Sequence, residues 1–268
     1  MPARQVRVQE LRSLTAANGG TAVTALVTFG LLPGTQYVKI HSRAFTTAVG
    51  LQYALNPYLA VLKTTDAAAT WTDYSSAAQD EDAATHVDLS GLSTLANGDA
   101  VYIGAATAFR GLDVDVDGPN GNSSVLTASY WNGSAWVDTS DTDGTISSGK
   151  TLGQDGTIAW TVPSAWSAGS LNNILQFLDG GGSNTAAAAP QYGHQDLFWV
   201  RLEVGAALDS AVTLDSIHAL AGSTAYAELT AGDDVVELAA NYGEFGAVEL
   251  TVTTGTVNTV VTVGGKFV

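Results

Sequence analysis

Eight Asn-Gly or Asp-Gly pairs interrupt the 268-residue chain, at Asn18, Asn97, Asn120, Asn132, Asp117, Asp143, Asp155 and Asp179. Such pairs favour tight reversals, because Gly and, less readily, Asn and Asp enter the left-handed conformation that short hairpins need. The stretches between them are correspondingly short. Leu112-x-Val114-x-Val116 and Phe198-x-Val200-x-Leu202-x-Val204 alternate apolar and polar residues, the period of a strand with one buried face. Further strand-like runs span Gln36 to Ile40, Tyr58 to Lys63, Ala100 to Ile103, Val125 to Val137 and Thr157 to Val162. Helical patterning is confined to two short candidates, Leu171 to Leu178 and Val6 to Leu14. Many short strands at such spacing predict an all-β chain, an antiparallel β-sandwich of jelly-roll-like type.

The tail beyond Ala225 continues in the same manner, with Val235, Val236, Leu238, Val248, Leu250, Val252, Val257, Val260, Val261 and Val263 between Gly-rich turns. It reads as two or three more strands, placed to pair with those at the N-terminus. The division expected is a basic N-terminal arm with strands over 1–45, a sandwich over 46–220 and a C-terminal β extension over 221–268. A low-complexity insertion, Asp179 to Gly193, separates two strands of the sandwich and is too long for a hairpin turn.

Charge is distributed unevenly. Residues 1–65 hold Arg4, Arg7, Arg12, Lys39, Arg43 and Lys63 against Glu10 alone, whereas the remainder carries nearly all the acids of a chain whose net charge is -16. Arg4, Arg7 and Arg12 therefore read as a docking segment for an acidic neighbour, or as strands packed on the protein's own acidic body. The overall charge repels phosphate, so neither nucleic acid nor an anionic membrane is expected as a partner. The apolar stretch Thr21 to Pro33 is too short for a bilayer span and lacks the flanks of a signal peptide. With 46% apolar and 13% charged residues, the chain has the means to bury a core. It contains no Cys, which removes disulfides and thiolate chemistry.

Few motifs point to chemistry. Asp113-Val-Asp115-Val-Asp117-Gly118 matches the opening of a calcium loop, but the position that needs a bidentate Glu is Ser124. The simpler reading is a strand with Leu112, Val114 and Val116 inward and the carboxylates outward. His41, His86, His194 and His218 show no metal-ligand spacing. His194 and Asp196 are near each other, yet no G-x-S-x-G elbow accompanies them. A glycosidase pair among 26 acids would meet only in space. No catalytic residue, cofactor or metal is expected.

The six tryptophans divide by setting. Trp131 and Trp136 bracket a tight hairpin and can meet across it; with Trp160 and Trp199 they read as anchors sealed in the sandwich. Trp71 and Trp166, in polar surroundings, and Tyr192 read as surface or interface aromatics.

Tyr130-Trp-Asn-Gly-Ser-Ala-Trp136-Val137, Asp155-Gly-Thr-Ile-Ala-Trp160-Thr-Val-Pro-Ser-Ala-Trp166 and Leu197-Phe-Trp199-Val-Arg-Leu-Glu-Val204 occur in that order, preceded by Leu95 to Gly104 and Phe109 to Leu112. Over residues 95–220 this resembles a β-sandwich module recurrent in tailed-bacteriophage virion structural proteins. The resemblance implies a non-enzymatic virion component assembled in the bacterial cytoplasm, a capsid decoration or cement protein or another head–tail accessory. It implies as partners the major capsid protein or neck and tail subunits. A cyclic homo-oligomer is expected, a trimer in the first instance. The competing expectation is a carbohydrate-binding adhesin on the virion surface, with Trp71, Trp166 and Tyr192 stacking on host glycan. A third is a glycan depolymerase with two converging carboxylates.

Overall fold

The computed structural model describes residues 10–13, 21–23, 26–46, 50–65, 70–80, 82, 84–178, 188–222, 226–230, 234–252 and 255–265. The fold is all-β, in several antiparallel sheets. Two compact units are present. One comprises residues 57–223, and the other joins residues 1–56 to residues 224–268.

In the 57–223 unit, a seven-stranded sheet runs in the order Trp136–Asp138, Leu126–Trp131, Asp196–Val204, Ala100–Ala105, Ala60–Thr65, Thr70–Asp73, with Ala168–Ser170 also paired to Asp196–Val204. A five-stranded sheet runs Thr142–Asp143, Gly156–Ala159, Gly111–Gly118, Thr213–Leu220, Val87–Asp88. Alternation assigns their faces. Val61, Val101, Ile103, Val200 and Leu202 from the first sheet share one core with Leu112, Val114, Ile158, Leu214 and Ile217 from the second. The two sheets thus pack as an antiparallel sandwich. The cavity of about 20 Å³ inside it is lined by Val101, Leu112, Leu202, Leu214 and other apolar side chains, with no polar group to hold a ligand. Lys63 donates to the carbonyl of Asp88 at 2.8 Å, joining a strand of one sheet to the edge strand of the other.

The helix expected at Leu171–Leu178 forms there, and it buries Leu171 and Ile174. The other helical candidate, Val6 to Leu14, does not hold: Glu10–Ser13 is a strand paired with Thr256–Gly265. A weak local helical preference loses to a ladder of backbone hydrogen bonds along a neighbouring strand. Among the described residues no helix is long and apolar enough to cross a membrane.

The turn glycines divide into two kinds. Gly98 (φ 82°) and Gly133 (φ 94°) occupy the left-handed region as an Asn-Gly pair favours. Gly118, Gly144 and Gly156 do not. Their lack of a side chain serves close packing instead, for a Cβ on Gly144 would stand 2.8 Å from the carbonyl oxygen of Thr157.

In the unit formed by residues 1–56 and 224–268, one sheet is ordered Glu10–Ser13, Thr256–Gly265, Thr35–Thr46, Asp234–Ala239, with Thr21–Val23 also on Thr256–Gly265. A second is ordered Ala227–Leu229, Leu51–Pro57, Phe245–Thr251, Val27–Gly30. Val38, Ile40, Val257 and Val261 share a core with Leu51, Leu229, Val248 and Leu250. The N- and C-terminal segments are thus one folded body and not two separate arms. Residues 50–56, expected in the sandwich, belong to this body, because Leu51–Pro57 pairs with Ala227–Leu229.

Candidate functional site

Strand alternation sends Tyr130 into the sandwich core and its neighbour Trp131 to the opposite face of the sheet. Trp131 and Trp136 face each other across the hairpin, as their spacing implies, with ring centroids 5.7 Å apart. Asn132 Oδ1 closes that hairpin by accepting hydrogen bonds from the backbone N–H groups of Ser134 (2.9 Å) and Ala135 (2.8 Å). The pair is not sealed between the two sheets. It lies on the outer face of the seven-stranded sheet, in a cluster with Leu62, Tyr102, Trp199 and the helix residues Leu171 and Ile174.

A row of rings crosses this outer face. Centroids are 5.7 Å apart for Trp71 and Tyr102, 5.6 Å for Tyr102 and Trp136, and 6.1 Å for Trp131 and Phe177. Tyr102 and Trp131 are buried, Trp71 and Trp136 half-buried, and Phe177 is 60% exposed. Arg201 lies over the Trp136 ring at 5.1 Å from its centroid and donates from Nε to Glu203 Oε1 at 2.6 Å. Burial pushes the Tyr102 hydroxyl above the usual phenol range, opposed by the adjacent Arg201 guanidinium.

The other aromatic expectations separate. Trp71 belongs to the row. Tyr192 is half-buried in the Gln191–His194 turn, its ring 6.4 Å from that of Tyr58. Trp166 is corrected, being 8% exposed and set in the sandwich core against Phe109 (5.1 Å) and Phe198 (5.9 Å). A turn from the carbonyl of Pro163 to the Trp166 N–H tucks the ring inward, where its Nε1 donates to the carbonyl of Trp199 at 3.1 Å. Trp160 follows the same rule, donating to the carbonyl of Phe109 at 3.0 Å.

Arg4 and Arg7 lie outside the described residues, and Arg12 falls in the edge strand Glu10–Ser13 opposite Val263. His194 meets Asn172 Nδ2 at 3.3 Å, and no His194–Asp196 dyad forms. The segment from Asp113 to Gly118 is a strand with Leu112 and Val114 in the core, so the calcium loop does not form.

Asp117 nevertheless joins a cluster that no sequence spacing announces. The pairing of Gly111–Gly118 with Thr213–Leu220 passes from Asp115↔Ser216 to Val116↔Leu214 and then Gly118↔Thr213, which leaves Asp215 and Asp117 unpaired at bulges. On the far side of Thr213–Leu220, the pairs Thr213↔Asp88 and Leu214↔Val87 bring His86 beside Asp215. A loop in which Asp80 Oδ1 accepts from Asp82 N and Thr85 Oγ1 leads into His86. His86 Nδ1 lies 2.9 Å from Asp215 Oδ1 and 4.0 Å from Asp117 Oδ2. The only advance signal was Asp117 at a strand end before Gly, which does not name its partners.

Comparison of the chain with protein-family models, with curated proteins and with solved structures gave no match.

Proposed function

We propose that this chain is a non-enzymatic structural protein of a tailed-bacteriophage virion, a capsid decoration or cement subunit or another head–tail accessory. Its work on this reading is mechanical. It assembles in the bacterial cytoplasm and packs as a cyclic homo-oligomer, a trimer in the first instance, against capsid, neck or tail subunits. The observation that carries the reading is the aromatic interlock. The three segments in which the sequence resembles virion modules supply Trp131, Trp136, Trp160, Trp166 and Trp199; the ring contact of the first two and the N–H bonds of the other three tie hairpin, turns and central strand into one block. An interlock of that kind suits a part loaded by its neighbours. The outer row ending at exposed Phe177 offers a surface that a neighbouring subunit would cover.

The test is attachment. Antibody to the chain is expected to decorate particles of the phage that encodes it, and the chain to co-sediment with them; a chain left entirely in the soluble fraction would end the proposal. For the docking role of the basic segment, Arg4→Glu with Arg7→Glu is preferable to deleting residues 1–12, because deletion also removes most of the Glu10–Ser13 strand. Undiminished attachment of the double variant would assign docking elsewhere.

Half-buried Trp71, and half-buried Trp136 with Arg201 over its ring, also favour a second reading, an adhesin whose rings stack on host sugars. Glycan-array binding abolished by Trp71→Ala would move the assignment to that reading.

A further inference from the structure

We infer that His86, Asp117 and Asp215 form a binding site for a divalent transition cation, with Zn²⁺ the best-fitting ion. The inference is independent of the virion reading. Two strands and the loop that enters a third deliver one ligand atom each, and those atoms lie within 4.8 Å of one another. Two of the three are placed by bulges, the device that turns a strand residue out of its regular position.

The donor chemistry narrows the ion. One imidazole nitrogen with two carboxylate oxygens suits Zn²⁺, and next Mn²⁺, whereas Ca²⁺ and Mg²⁺ prefer oxygen alone. Charge points the same way. Among the described residues neither carboxylate is paired with a Lys or Arg; their partners are His86 and, for Asp117 Oδ2, the Thr213 hydroxyl at 3.1 Å. Two anionic groups around one imidazole are relieved by a dication more fully than by a single shared proton. The Thr213 hydroxyl holds Asp117 in orientation as an outer partner of a ligand does.

The present spacing needs little change. Ligand atoms about 2.0–2.2 Å from a zinc ion stand roughly 3–3.5 Å apart, and the observed separations of 2.9 and 4.0 Å bracket that range. Side chains exposed by 33%, 50% and 31% leave the remaining coordination positions open to water. A bound ion would pin the two-residue edge strand Val87–Asp88 to Thr213–Leu220 beside it and to Gly111–Gly118 beyond.

The experiment is calorimetric titration of the full chain with Zn²⁺, and separately with Mn²⁺ and Ca²⁺, followed by thermal unfolding. One saturable Zn²⁺ equivalent is expected, with a midpoint rise of roughly 5–10 °C at a hundredfold excess over Kd. Asp215→Asn and His86→Gln should each weaken Zn²⁺ binding tenfold or more, while Glu237→Gln, an exposed acid on the other unit, should leave it unchanged. Substitution by Co²⁺ should give visible absorption bands that the His86→Gln variant lacks. Asp117→Asn, at the most exposed of the three positions, carries the test should either other variant misfold. Absence of saturable Zn²⁺ binding, or equal binding in all variants, overturns the site; so does Ca²⁺ binding tighter than Zn²⁺.

Discussion

Gly104 sits directly opposite Trp199 in the seven-stranded sheet, and the indole occupies the space a side chain on Gly104 would take: a Cβ there would approach Trp199 Cε3 to 2.7 Å. The ring is fully buried and its Nε1 donates to the carbonyl of Gly169 at 2.8 Å, so it is held at both ends and has no room to retreat. The small residue and the large one are a single packing unit in adjacent strands.

Gly104→Ala should therefore overpack the outer face. A loss of about 1–3 kcal/mol is expected, the usual cost of forcing a methyl into a filled core. Urea unfolding followed by near-ultraviolet circular dichroism reads both the lower midpoint and the disturbed indole; a midpoint equal to that of the parent would refute the contact.

Trp166 and Trp71 should part company under substitution. Trp166→Ala empties part of the sandwich core and orphans the Trp199 carbonyl, at a cost of about 3–5 kcal/mol. Trp71→Ala trims one half-buried ring of the outer row, costing about 0.5–1.5 kcal/mol. Denaturant midpoints for the two variants check this order, and a reversed order would return Trp166 to the surface.

Asp143 is the hub of a buried hydroxyl network. Its Oδ1 accepts from the Thr145 N–H (2.8 Å) and hydroxyl (2.6 Å), and its Oδ2 from the Thr151 hydroxyl (2.6 Å). Both threonines are fully buried. Asp143→Ala strands two hydroxyls without water, a loss of about 2–4 kcal/mol; Asp143→Asn, which keeps one acceptor, should lose about half as much. Equilibrium unfolding of both variants measures the ratio.

Features carried by local pattern were readable from the sequence. The alternation from Phe198 to Val204 marked a strand that runs Asp196–Val204, and the apolar spacing after Leu171 marked the helix Leu171–Leu178. Features set by tertiary pairing were not. Trp166 stands in a polar stretch, and only the fold reveals that its turn closes onto Phe109. The sequence pairs Trp131 with Trp136, but which face they occupy depends on which neighbour, Tyr130 or Trp131, is nearer the second sheet. His86, Asp117 and Asp215 are far apart along the chain and meet through two bulges, which carry no signature in residue type.

The pH dependence of stability should carry a contribution from Asp141. Burial pushes its carboxyl above the ordinary value of 3.8, with repulsion from Asp138 and Asp143 adding to the rise and the hydrogen bond from the Ala128 N–H opposing it. A group whose pKa is higher folded than unfolded binds more protons in the native state, so its contribution is complete below 3.8 and is lost as pH rises through the raised folded value. Asp141→Asn keeps an oxygen to accept the 2.9 Å bond from Ala128 and removes the buried charge. Relative to the parent, the variant should therefore gain stability as pH rises above the ordinary value of 3.8, since only the parent must bury an ionising carboxyl there. Urea midpoints taken at pH 3.5, 5 and 7 give the difference directly, and a difference constant with pH would mean that Asp141 ionises as freely in the fold as in the unfolded chain.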